Sequence, residues 1–245
     1  MLTSFDPRLN AVVVGASGGI GAAVYRYLTE ASSENRVLAL SRSHAVARPG
    51  ITSGHIDLEK PESIEAAARL ARSTFDNVHL VFVATGILHD KNMQPEKTLR
   101  ALDATSMMRA YAINAVGPAL IAKHFLPLMP RQGKTVFAAL SARVGSISDN
   151  HLGGWYAYRS SKSALNQFIR TAAIERARTH KEAVLLALHP GTTVTPLSKP
   201  FQGHVPKDKL FTPRFAAREI LRVIDRAKPV DSGLLKAWHG RTLPY

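Results

Sequence analysis

The chain is predicted to fold as a single α/β domain over residues 1–245. The expected architecture is a doubly wound parallel sheet of about seven strands with helices on both faces. Three observations predict it. Short apolar runs at 11–14, 37–40, 55–57, 80–84, 135–140 and 184–189 are rich in Val, Leu and Ala and lack polar alternation, as strands buried on both faces do. Between them, 20–31, 61–73, 95–124 and 158–179 carry apolar residues at helical spacing, with Ala164, Leu165, Phe168, Ile169 and Ala172 forming one stripe. No Pro/Gly/Ser-rich linker, internal repeat or low-complexity segment interrupts this alternation.

Composition narrows the function classes. With no cysteine, disulfides, thiolate metal sites and thiol nucleophiles are excluded. The histidines show no metal-binding spacing such as H-E-x-x-H, so no metal site is expected. Lys and Arg number 32 against 18 Asp and Glu, a net charge of +14. Such an excess suits nucleic acid or an acidic surface. Here the basic residues are spread along the chain, with no basic block or finger spacing. A small anionic ligand is the better expectation, with no nucleic-acid partner. The N-terminal stretch lacks a charged segment followed by an apolar one. The longest apolar runs, near 113–121 and 183–188, are far short of a membrane span. A cytoplasmic protein without a membrane partner is expected.

The first strand runs directly into VVVGASGGIGAA. Gly15, Gly19 and Gly21 fall at a strand-to-helix junction, where backbone N–H groups at the positive end of a helix can receive a diphosphate. This marks the sheet as Rossmann-type. The second strand ends in ALSRS, so Ser41, Arg42 and Ser43 stand where a site for NAD places a carboxylate. A guanidinium can bind a 2′-phosphate that a carboxylate would repel. NADP(H) is therefore the expected cofactor.

Tyr158 and Lys162 are one helical turn apart and share a face, whereas Tyr156 has Ser160 at that offset. A lysine ammonium and a positive nicotinamide ring beside Tyr158 favour the phenolate and are expected to lower its pKa. The result is a general acid/base for carbonyl/alcohol interconversion.

Together these residues resemble the short-chain dehydrogenase/reductase family over nearly the whole chain. The resemblance implies that Gly15, Ser17, Gly18, Gly19, Ile20 and Gly21 form the cofactor turn. It places Asp57 and Leu58 at the adenine, and Ala84, Thr85 and Gly86 where the family has N-A-G. Asn114 matches the asparagine of a water-linked proton relay to the lysine, and Tyr158 and Lys162 match the catalytic pair, which also contacts the cofactor. Pro190, Gly191, Thr193 and Thr195 lie in PGTTVT, which resembles the loop that holds the nicotinamide amide. GSISDNHLGGWYAYRSSKSALN and SGLLKAWHG resemble, more narrowly, the C-factor/Sniffer-like carbonyl reductases.

The implied activity is NADPH-dependent reduction of a small-molecule carbonyl; the alternative is an NADP(H)-binding signalling or sensor protein with little turnover. A homodimer or homotetramer pairing the fourth and fifth helices is also implied. The family serine that binds the substrate carbonyl lies three residues before a glycine, and here that position is Ala142. Ser141, Ser146 or no serine could take its place, with Ser141 the leading candidate. Residues 193–213 carry four prolines and no periodicity, as expected of an irregular substrate lid.

Overall fold

The computed structural model describes residues 2–5, 8–43 and 51–245. Seven parallel strands form the main sheet. They are β1 (Asn10–Val14), β2 (Arg36–Ser41), β3 (Ile51–His55), β4 (Leu80–Val83), β5 (Thr135–Leu140), β6 (Ala183–His189) and, after two short strands, β9 (Leu234–Ala237), in the spatial order β3-β2-β1-β4-β5-β6-β9. The expected doubly wound sheet is therefore observed. Helices α1 (Gly19–Ala31) and α6 (Pro213–Arg226) cover one face; α2 (Pro61–Thr74), α4 (Gly117–Phe125) and α5 (Tyr156–Arg176) cover the other.

Burial on both faces explains the continuous apolar strands. Along β5, Val136, Ala138 and Leu140 pack toward α1 and α6, while Phe137 and Ala139 pack toward α2, α4 and α5. Strand direction reverses its winding between β1 and β4, which opens a crevice at the carboxyl ends of the strands.

Several boundaries differ from the sequence expectation. The third strand lies at Ile51–His55, not 55–57, because ITSGH is a half-exposed edge with no apolar run to mark it. The helix expected over 95–124 begins as α3 (Ala104–Tyr111), capped by the Asp103 carboxylate on the Ser106 N–H. It then passes through one π-helical turn, Ala112–Val116, before α4. The segment 193–213, expected to be irregular, carries short regular elements. Short strands β7 (Thr192–Thr193) and β8 (Leu210–Phe211) pair across it, and tight turns fill Lys199–His204 and Lys207–Lys209. Helix α6 and strand β9, which the sequence reading did not place, complete the sheet and its cover.

Phe137 is fully buried against the α5 side of the sheet. Phe137→Ala is expected to lower the unfolding free energy by about 3–5 kcal/mol, measured as a shift of the urea midpoint.

Candidate active site

The glycine turn is shaped by close approach. A Cβ on Gly21 would lie 2.3 Å from the Gly15 carbonyl oxygen, and one on Gly19 2.8 Å from Thr195 Cγ2. Gly18 N–H donates to Gly15 O at 3.0 Å, closing the turn, and no side chain caps the start of α1. The first N–H groups of that helix face the cavity unblocked by a capping side chain.

That cavity, about 480 Å³, runs along the carboxyl ends of the strands. It brings together Gly15, Ser17, Gly18, Gly19, Ile20, Ser41, Arg42, Asp57, Leu58, Ala84, Thr85, Gly86, Ser141, Tyr158, Lys162, Pro190 and Thr195. Gly21 lies behind the turn as a packing glycine. Gly191, with φ +74°, is held against the Phe211 ring, and Thr193 is buried in the β7 strand. Asn114 is wholly buried beside the cavity.

Asn114 sits in the π turn, a helix irregularity common at functional sites. Its Oδ1 accepts the Ile87 N–H at 2.8 Å, and its Nδ2 donates to Ile87 O at 2.9 Å and to Ser161 Oγ at 3.0 Å. Both ends of its amide are occupied, so its side chain fastens the β4 loop to α5.

Lys162 Nζ donates to Leu140 O at 2.8 Å and lies 5.8 Å from the Tyr158 ring centroid. Burial pushes the lysine down to about 7 and the Tyr158 phenol up to about 12. Desolvation by burial, which opposes charge on both groups, sets both directions. Among the described residues the Tyr158 hydroxyl makes no hydrogen bond; the Tyr158 backbone carbonyl accepts the Ser161 hydroxyl at 2.9 Å.

The serine question resolves into geometry. Ser141 lines the cavity, but its Oγ donates to Asn166 Oδ1 at 2.7 Å. Asn166 Nδ2 in turn donates to Gly145 O at 3.3 Å, which fixes the amide's orientation. Ser146 is buried, accepts the Asp149 N–H at 3.2 Å and is not among the cavity's lining residues.

At the other end of the cavity, Arg42 is largely exposed and its guanidinium stands 3.8 Å from Glu59. Glu59 also takes Arg109 at 3.1 Å, and Arg109 reaches on to Asp90. A nicotinamide dinucleotide fits these residues. The Thr85 hydroxyl is buried without a partner beside the turn, the glycines leave room for a diphosphate, and Arg42 offers an exposed guanidinium.

Sequence reading missed the supporting residues. Glu96 is buried, and its backbone carbonyl accepts the Trp155 N–H at 2.5 Å while its carboxylate accepts the Ala157 N–H at 3.2 Å. It thereby caps α5, whose preceding residues Gly153, Gly154 and Trp155 are all left-handed, with φ of 63°, 66° and 53°. That conformation is strained for tryptophan. The Trp155 ring meets Tyr158 edge-on at 6.2 Å and Phe201 at 4.8 Å; His89 also touches Phe201 and bonds Leu197 O at 3.1 Å. Glu96 is 61 residues from its partner, and no local pattern announces the contact.

Fold and site define a dinucleotide-binding oxidoreductase. The family model for short chain dehydrogenase matches residues 9–205, and the chain belongs to that family. It is 31% identical over 237 residues to 1-hydroxy-2-glutathionyl-2-methyl-3-butene dehydrogenase of Rhodococcus sp. strain AD45, covering 96% of this chain and 98% of that one. It is 33% identical over 144 residues to the C-signal protein of Myxococcus xanthus, covering 59% and 81% respectively. The structure of an NADPH-bound carbonyl reductase from chicken fatty liver superposes with a TM-score of 0.84 at 26% identity, covering 97% of this chain and 100% of that one. No helix among the described residues is long and apolar enough to cross a membrane.

The buried lysine predicts a pH dependence of stability. Its folded pKa, about 7, lies below the ordinary 10.5, so between these values the unfolded chain binds more protons and stability rises with pH. The urea midpoint is expected to climb from pH 7 to pH 9, and Lys162→Met is expected to flatten that climb.

Proposed function

We propose that this chain is an NADPH-dependent carbonyl reductase working as one catalytic domain. The observation that carries the reading is the meeting of Tyr158 and Lys162 with the glycine turn and Arg42 around one cavity. The NADPH-bound carbonyl reductase with the same fold supports the cofactor, and the relative from Rhodococcus supports the carbonyl/alcohol couple.

When bound, the reduced nicotinamide supplies the hydride and leaves oxidised. Tyr158 donates its proton to the carbonyl oxygen as the C=O π pair moves there, and regains a proton from solvent. Lys162 holds the ribose and, with the nicotinamide's charge, draws the phenol down from its raised ligand-free value. Asn114 anchors the relay to the lysine by fixing the Ile87 backbone. Arg42 binds the 2′-phosphate, releasing Glu59 to Arg109. Asp57 and Leu58 take the adenine, and Pro190, Gly191, Thr193 and Thr195 take the nicotinamide amide. The active unit is a homodimer or homotetramer through α4 and α5, in the cytoplasm.

A signalling or sensor role has one observation in its favour, the C-signal relative. The Tyr158 hydroxyl open to the cavity favours turnover.

Tyr158→Phe is expected to keep NADPH affinity while losing about 10²–10⁴-fold in turnover on a carbonyl panel; near-normal turnover would refute the role. Titration by nicotinamide fluorescence is expected to show tighter binding of NADPH than of NADH. Arg42→Ala should weaken NADPH about 10-fold or more and spare NADH.

A further inference from the structure

We infer that Glu59 sets the cofactor selectivity. Its carboxylate competes with a 2′-phosphate for the Arg42 guanidinium and holds the preference for NADPH over NADH below what Arg42 alone would give. The inference rests on the reading of Arg42 as the 2′-phosphate site and deepens it.

The charges at the outer end of the cavity are poorly suited to a dianion. The protein as a whole carries a net charge of +14. Yet the charged residues described there are two guanidiniums, Arg42 and Arg109, and three carboxylates, Asp57, Glu59 and Asp90. Glu59 joins the two guanidiniums. Its Oε2 lies 3.8 Å from Arg42 Nη1, and its Oε1 accepts from Arg109 Nε at 3.1 Å.

The surroundings of Glu59 keep its carboxylate in place. Arg109 is fixed on its other side by Asp90, whose carboxylate also accepts the Asn92 N–H at 2.8 Å. The bonds to Asp90 and Glu59 raise the Arg109 pKa, so its guanidinium stays charged. On the backbone, the Glu59 N–H donates to Asp57 Oδ1 and the Lys60 N–H to Asp57 O, each at 3.1 Å, which sets Glu59 in a tight turn beyond β3. The two partners of Glu59 are unequal. The Arg42 side chain is 64% exposed and the longer contact, whereas that of Arg109 is 30% exposed and held at both ends. A ligand that draws Arg42 away leaves Glu59 on Arg109, beside the place the ligand enters.

Selectivity is a difference between two complexes. With NADPH, the 2′-phosphate replaces Glu59 on Arg42 and then faces a carboxylate that Arg109 retains. The lost ion pair and the like-charge repulsion both oppose binding. With NADH nothing displaces Glu59, and Arg42 keeps its partner. Glu59 therefore weakens the first complex and spares the second. Were Glu59 instead a support that orients Arg42, its removal would weaken NADPH.

The test measures the Kd of NADPH and of NADH by nicotinamide fluorescence at low ionic strength in the wild type, Glu59→Gln, Arg109→Met and Arg42→Ala. Glu59→Gln should tighten NADPH about 3- to 10-fold and change NADH less than about 2-fold. Arg109→Met, which leaves Glu59 to Arg42 alone, should weaken NADPH about 3-fold or more and change NADH less than about 2-fold. Glu59→Ala removes the same charge and replaces the glutamine variant if that one does not fold. An NADPH affinity that neutralising Glu59 leaves unchanged or weakens overturns the inference, as does an equal tightening of NADH. A shift of the Glu59 and Arg109 variants in the same direction also overturns it, since loss of a merely structural ion pair acts alike from either side. In these outcomes Arg42→Ala still weakens NADPH, so the 2′-phosphate reading survives. Unchanged NADPH affinity in Arg42→Ala, or a wild type that binds neither dinucleotide, overturns both.

Discussion

Asn114 is fully buried, and its carboxamide bonds both the N–H and the C=O of Ile87 while reaching Ser161 on α5. An amide without water must find all its partners within the protein. Here those partners belong to two separate elements, the loop after β4 and the helix that carries Tyr158, and Asn114 itself sits in the π turn between α3 and α4. Gly86 lies beside this amide: a Cβ there would stand 3.4 Å from both Asn114 Oδ1 and Lys162 Nζ, at ordinary contact distance. The cavity wall is set by one side chain that need not touch a substrate.

A second constraint is electrostatic. Burial disfavours the charged forms of Tyr158, Lys162 and His189, pushing them to about 12, about 7 and about 4. Burial thus disfavours charge at the strand ends beside the glycine turn. At the cavity's outer end Arg42, Glu59, Arg109 and Asp90 form a partly exposed chain of ion pairs. Screening keeps each such pair weak, so Arg42 can exchange partners at small cost.

Much of this architecture was legible in the sequence. The strands β1, β2, β4, β5 and β6 are apolar runs because both faces are covered, and the glycine turn stands at the first strand–helix junction. The edge strand β3 was displaced in the reading because ITSGH is half exposed and carries no apolar signal. The π turn was invisible for a different reason. AINAV has ordinary helical composition, and no local pattern marks the change in backbone bonding there. Glu96 was missed because a cap supplied from 61 residues away leaves no trace at the helix it caps.

The sequence by itself determined the alternation of strands and helices, the place of the glycine turn, and the one-turn spacing of Tyr158 and Lys162, since each follows from local periodicity or a fixed spacing of residues. Only the tertiary structure decided where the hydroxyl of Ser141 goes. A serine one position from the expected one is chemically the same residue; its use depends on which neighbour takes its proton. Asn166, brought against the end of β5 by the packing of α5, takes it.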